Sequence, residues 1–438
     1  MKADSANKRL VSRFFRYVSF SVAAMAAMSC YILADTFFVS LGLGTDGLAA
    51  LNFALPVYYF MHGAGLMAGM GGSTAYSVAS ARGDTRAADS AFTHSMIIGA
   101  AIVVVLLPVG IFLSPWIAGL LGASGDTLPM TEIYIKVLLL FSPAFVFNNI
   151  IACFVRNDGA PRLAMLSMIA GSFANIVLDY VFIFPCGMGM FGAVFATGLA
   201  PVIGLAVNSF HFIRRKNNFR PVKIRPQFRQ IGRLCALGAP SLVEQFSSAA
   251  VILAFNFIIL GTDGESGVAA YGIVANISLV VVAVFTGVAQ GVQPLVSRAH
   301  GENDGQAGKR LLAYSVIFAL AFSVVVYIVI FAFAFPIADI FNSGNDPALT
   351  STASNGMRIY FTAIPFLGFN VIACTYLTAS ERPVPAQVIS LLRGLIVIIP
   401  AALLLSHFLG ITGAWLSYPV TELLVAVVSA CVLFVRRK

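Results

Sequence analysis

The chain has 438 residues, of which 59% are hydrophobic and only 10% charged, with a mean hydropathy of +0.90. A soluble globular protein carries about 25% charged residues, so the composition excludes that class and indicates an integral membrane protein. The formal charge of +9 sits in loops, where it reports orientation and contact with anionic lipid headgroups; no soluble domain accompanies it, so no nucleic-acid partner is expected.

Residues 1–16 hold Lys2, Lys8, Arg9, Arg13 and Arg16 and lead into an apolar run that continues to about Ser40. That run is too long for a signal-peptide core and is read as a retained first helix. Apolar runs of about 20 residues or more predict helices at 14–40, 48–79, 91–120, 132–155, 163–184 and 191–213. A second set of six follows at 234–260, 267–297, 310–340, 357–378, 386–406 and 411–435. Between the sets lies Arg214 to Arg233, with eight Lys and Arg and no acidic residue. The expected organisation is an N-terminal six-helix bundle (1–213), a basic cytoplasmic linker (214–233) and a C-terminal six-helix bundle (234–438).

Lys and Arg beside spanning segments stay on the cytoplasmic side. All but three of the 27 Lys and Arg flank helix ends on one face, including Arg436, Arg437 and Lys438 at the end of the chain. The exceptions, Lys136, Arg358 and Arg393, fall inside helices. Both termini are therefore expected in the cytoplasm, in a multi-pass protein of the cell (inner) membrane. Six scattered cysteines (Cys30, Cys153, Cys186, Cys235, Cys374, Cys431) have no metal-ligand spacing and suggest neither a disulfide framework nor a metal site.

The halves repeat each other. Pro143, Phe147 and Asn148 recur as Pro365, Phe369 and Asn370, Lys136 as Arg358, and Gly189, Gly192 and Ala193 as Gly410, Gly413 and Ala414. Earlier, Gly47-Leu48-Ala49-Ala50 answers to Gly267-Val268-Ala269-Ala270, and Ala81-Arg82-Gly83-Asp84 to Ala299-His300-Gly301-Glu302. Six spans per half place the halves in the same orientation, a parallel repeat of the kind transporters use, with the substrate path between them.

Ionisable residues inside a bilayer cost at least about 2.5 kcal/mol each and mark function by default. They are Asp35 (helix one), His62 (two), Asp179 (five), Glu244 (seven), Arg393 (eleven) and Glu422 (twelve). Asp35 and Asp179 each lie five residues from the outer end of their predicted helix, about 8 Å below the surface. Asn175 is one turn below Asp179 on the same face, and Thr197 enters from helix six at similar depth. Two carboxylates with hydroxyl and amide partners form a site for a proton or sodium; on close approach one of them resists ionisation, since like charges and desolvation both disfavour it. At an offset of 221, Asp179 becomes Pro400, Asn175 becomes Ile396 and Asp35 becomes Asn256. An acid pair confined to one copy favours function over a structural role. Glu244 and Glu422, both near mid-membrane, are candidates to attract a cationic substrate; the alternative is that one pairs with Arg393. His62 reads as a packed or hydrogen-bonded helix residue.

The chain resembles the multidrug and toxic compound extrusion (MATE) transporters over essentially its whole length. The resemblance runs from Ala34-Asp35-Thr36 and Gly47-Leu48-Ala49-Ala50, through Arg156-Asn157-Asp158-Gly159 and Asn175-Ile176-Val177-Leu178-Asp179-Tyr180, to Gly189-Met190-Phe191-Gly192-Ala193 and Ala196-Thr197. It implies an all-α membrane protein of twelve helices, in two pseudo-symmetric six-helix bundles around a central cavity. It implies antiport: small organic cations and amphiphilic drugs leave by alternating access against inward proton or sodium flow, with no cofactor. In the branch that keeps its acids in the first bundle, the cation network matches Asp35, Asn149, Asn175, Asp179 and Thr197. Another branch places acids in helices seven and ten, but helix ten here has none, and Glu244 follows Pro240 about a turn too early for that pattern. A monomer is expected.

Other functions fit less well. A lipid-linked precursor flippase of the same superfamily is the alternative; it should line its cavity with several cations, and Arg393 is the one candidate well inside. A major-facilitator carrier should carry a strongly basic Gly-Asp-Arg loop after helix two, which Ala81-Arg82-Gly83-Asp84-Thr85-Arg86 does not match. No catalytic set of an intramembrane enzyme stands out.

Overall fold

A computed structural model describes residues 2–340 and 347–434 of the chain. Of the flanking cations, the side chain of Lys2 and the residues Arg436, Arg437 and Lys438 lie outside that description. Ten helices are long and apolar enough to cross a membrane, and a bent pair makes an eleventh. The longest, Lys2–Ala81, is broken at Gly44, which brings the spans among the described residues to twelve. They are α1 (2–43), α2 (45–81), α3 (Thr85–Phe112), α4 (Thr127–Leu140 and Ser142–Asn157, bent by 49°), α5 (Pro161–Ile183) and α6 (Gly189–Ile213) in the first half. The second half holds α7 (Phe228–Gly264), α8 (Ser266–Gly301), α9 (Gly305–Ile340), α10 (Pro347–Ala379), α11 (Pro383–Leu409) and α12 (Ile411–Phe434). The helices outrun the apolar stretches because polar turns extend several past the hydrocarbon: α10 starts ten residues before the predicted 357. The predicted 91–120 helix instead ends at Phe112, and Ser114–Leu120 forms a separate short helix.

Sequence explains the joints. Gly44 (φ 68°, ψ −157°) and Gly264 (φ 65°, ψ −158°) turn the chain at the same corner of each half, in a region of backbone space open essentially to glycine alone. Asp84 accepts the Ala87 N–H, and Asp304 the Ala307 N–H, each at 2.9 Å, capping the orphan donors of a new helix. The residues before these caps, Gly83 and Asn303, both have positive φ. The structural repeat here therefore has an offset of 220 and pairs Asp84 with Asp304, correcting the pairing with Glu302 that local residue likeness suggests. By the same offset Asp35 answers to Phe255, not Asn256, and Phe255 is buried and stacked on Tyr271. The second copy still carries no acid there.

The first half packs a core around Met61, Tyr134 and Leu138 and another around Tyr76, Phe92 and Phe154 that takes in Leu234 of α7, and the second half packs around Phe285, Phe361 and Trp415 with Phe14 and Val18 of α1 joining it. Phe37, Phe112, Ile340 and Phe408 stand largely exposed on the outside, the apolar surface that spanning helices present to lipid. The halves interlock symmetrically at the end carrying the basic linker. Gly291 of α8 lies against the Tyr17–Val18 backbone of α1, and its counterpart 220 residues earlier, Gly71 of α2, lies against Leu234 and Gly238 of α7. Polar clasps reinforce the joint. Gln293 donates to Thr74 at 2.8 Å and accepts from Asn157 at 3.0 Å, while Glu381 gathers Arg82, Arg233 and His300. Deeper in, Gly63 of α2 still touches Leu242 and Gln245 of α7.

Candidate functional site

Asp35 on α1, Asp179 and Asn175 on α5 and Thr197 on α6 are all buried, Asp179 and Asn175 completely. The one-turn spacing of Asn175 and Asp179 puts both on the face toward α6. The Asn175 Nδ2 lies 3.5 Å from Thr197 Oγ1. With the amide turned over, the orientation that satisfies both of its ends, its NH2 donates to Asp179 Oδ2 at 3.1 Å and its oxygen accepts the Thr197 N–H at 3.2 Å. One oxygen on each carboxylate, Asp35 Oδ1 and Asp179 Oδ1, is sealed from solvent with no hydrogen-bond partner among the described residues. Unpartnered buried carboxylate oxygens are costly, so each of the two acids lacks the partner that burial of a charge demands.

Asn149 stands apart from this cluster. Its Nδ2 lies 3.1 Å from His62 Nδ1 and 3.3 Å from the His62 carbonyl oxygen, tying α4 to α2. His62 stacks on Tyr58 with ring centroids 5.7 Å apart, and the Tyr58 and Tyr31 hydroxyls are 2.7 Å apart. Tyr31 is one turn from Asp35 on α1, so this chain of rings runs from Asn149 to the turn beside the acid. Asn149 and Thr197 do line one cavity, with Tyr31, Tyr58 and His62. The tyrosines escaped sequence reasoning; the signal was there in the i, i+4 spacing of Tyr31 and Asp35 and of Tyr58 and His62.

The second half holds a different arrangement. Arg393 Nε donates to Glu422 Oε1 at 2.6 Å, and Asn370 Nδ2 donates to Glu422 Oε2 at 2.8 Å. Glu244 reaches the other side of the guanidinium at 3.7 Å. Glu422 is 1% exposed and Glu244 34%, so Glu422 is fully engaged while Glu244 remains open. Glu244 and Arg393 line a second cavity with Ser241, Thr375 and Thr378, closed on one side by Met70 of α2. Arg393 lies in a π-helical turn, Leu392–Ile396, the kind of local bulge that accompanies functional positions. The two halves still share a joint beneath these differences. Asn148 accepts from Asn208 at 3.4 Å, and the repeat equivalents Asn370 and Ser429 meet at 2.9 Å.

The MatE family model matches residues 21–181 and 240–403. The chain is 24% identical over 409 residues to the multidrug export protein MepA of Staphylococcus saprophyticus, covering 93% of this chain and 90% of that protein. It is 28% identical over 421 residues to a protein of Shewanella oneidensis named FAD transporter, with the same coverage. Among solved structures, a multidrug resistance MATE family transporter of the MOP superfamily, in its outward-facing conformation, superposes with a TM-score of 0.89 at 25% identity, covering 95% of this chain and 93% of that one.

Proposed function

The chain belongs to the MATE family of multidrug efflux transporters, and we propose that it is an antiporter in which Asp35 and Asp179 bind the coupling cation. In this reading a proton or sodium ion enters the first bundle and joins the two carboxylates, with Asn175 and Thr197 completing its surroundings. Small organic cations and amphiphilic compounds leave through the space between residues 1–213 and 234–438. Both termini and the linker 214–233 face the cytoplasm, and a single chain in the cell membrane suffices. Asn149, through His62 and the tyrosine pair, relays changes at Asp35 toward α4.

The observation that carries the reading is the pair of unpartnered, solvent-sealed carboxylate oxygens in the one half that has acids at these positions. The contacts described between the halves run from Gly63 and Gln245 to the linker end, consistent with a path closed toward the linker. Cation binding removes the repulsion between Asp35 and Asp179, letting α1 repack and substrate affinity fall. An ion shifts such an equilibrium only through unequal affinity for the two conformations, so the cluster must bind it better in one of them.

Transport into everted vesicles under separately imposed proton and sodium gradients tests this. Asp35→Asn and Asp179→Asn should each abolish gradient-driven accumulation while leaving folding and drug binding intact, because Asn keeps the size and loses the charge. Wild-type accumulation by both variants would dismiss the site.

A further inference from the structure

Arg156 sits in the last turn of α4, 3% exposed, and no acidic side chain pairs with it among the described residues. Its Nη1 has no hydrogen-bond partner and is sealed from solvent. The obvious partner, Asp158 two residues on, is fully occupied: it accepts from Tyr76 at 2.5 Å, His211 at 2.8 Å, and the Asn218 backbone and side chain at 2.8 and 2.9 Å. Arg393, by contrast, lies between two carboxylates; Arg358, half-buried, covers the Phe331 ring at 5.2 Å but also leaves its Nε without a partner. The helix C-terminus gives Arg156 only a weak partial negative charge.

Arg156 lines the cavity that reaches Thr197 at its other end, among Met25, Met28, Leu66 and Met168, with the amides of Asn148 and Gln290. Asn148 uses its oxygen to accept from Asn208, which leaves its NH2 to donate. The cavity measures about 80 Å3, several times the roughly 10–15 Å3 that one water needs by that kind of measure. That is room for a small polar group and the first carbons of an apolar chain laid along the methionines, with the rest of the chain outside the cavity. A buried cation with free donors beside an apolar wall is complementary to an acid on a tail.

We propose that this cavity binds the acidic headgroup, a carboxylate or phosphate, of an anionic amphiphile, held by Arg156 with Asn148 and Gln290 as further donors. The occupant is either exported cargo or a membrane lipid; the recognition chemistry is the same. The site is read on resting protein with no gradient, so it stands independently of coupling through Asp35 and Asp179.

Dodecyl phosphate and dodecyltrimethylammonium are titrated onto the full chain in nonionic detergent, with bound copies counted by native mass spectrometry. Wild type should bind dodecyl phosphate in preference to the cation. Arg156→Gln should weaken it about tenfold or more, the range for a hydrogen bond to a charged group, and Arg156→Lys less. Met168→Trp should exclude the ligand with the charge still in place. Ligand-free Arg156→Gln should unfold at or above the wild-type temperature, since it removes an unpaired buried charge. Unchanged affinity in Arg156→Gln, equal binding of the cationic analogue, or a lowered ligand-free unfolding temperature would each overturn the proposal. Vesicles with and without phosphatidylglycerol then separate the sources. Competition by phosphatidylglycerol identifies a lipid site, and gradient-driven loss of trapped dodecyl phosphate identifies cargo; either supports an acidic-headgroup site.

Discussion

At Arg393 the second half already carries a cation of its own, tethered between Glu422 and Glu244. Glu422 and Glu244 therefore have different tasks, although each is a mid-membrane glutamate in the sequence. Glu422→Gln leaves Arg393 without its close partner, and breaking a buried pair typically costs about 3 kcal/mol or more. The expected result is a clearly lower unfolding temperature in detergent for Glu422→Gln, with little change for Glu244→Gln. Glu244→Gln should instead weaken export of cations relative to neutral compounds, by roughly fivefold for a contribution of about 1 kcal/mol. Normal stability of Glu422→Gln, or equal loss of both substrate classes in Glu244→Gln, would contradict this division. Asp35 and Asp179 were legible because acids stand out in apolar runs and helix counting gives depth. The pairing of Arg393 with Glu422, and the contacts that join Tyr31 to Tyr58 and His62 to Asn149 across helices, are tertiary facts that no local spacing encodes.

Among the elements, the linker departs furthest from its appearance in the sequence. Its eight basic residues suggest a loose loop at the headgroups, yet it is strapped to the first half. Phe219 is fully buried among Tyr76, Phe92, Phe154 and Phe212, with ring centroids 4.6 to 5.5 Å away. The Arg220 and Val222 backbone N–H groups donate to Asp89 and Thr93, and that of Gln227 to His94. Phe219→Ala should cost about 3 kcal/mol by the usual scale for a buried aromatic, read as a drop in thermal stability. Arg220→Ala, an exposed side chain whose bond is made by its backbone, should be nearly neutral. Equal effects would mean the strap is held by charge. The corner at Gly44 makes a second test: Gly44→Ala forces a side chain into a glycine-only region at a cost of about 1–3 kcal/mol, and Gly264→Ala should behave alike.

On the scale of the whole molecule, twelve spans in two like halves could be read from the sequence because apolar length, basic flanks and internal repeat all agree. The register of the repeat could not, since the helix caps that set it, Asp84 and Asp304, are embedded in stretches whose nearest residue likeness is two positions off. The membrane orientation proposed above has a native reporter. Cys186, exposed in the loop between α5 and α6, should react with an impermeant thiol reagent added outside intact cells. In a Cys186→Ser background, Lys223→Cys in the linker should react only after permeabilisation. Labelling of Lys223→Cys from outside would reverse the orientation.

The central claim is that the coupling ion binds the two carboxylates of the first half. It is met most directly in proteoliposomes that trap a proton- or sodium-sensing dye while labelled substrate is followed across the membrane. Wild type should move one of these ions opposite to the substrate, whereas Asp179→Asn should still exchange labelled for unlabelled substrate and move no ion. An Asp179→Asn protein that carries the ion with wild-type stoichiometry would contradict the account.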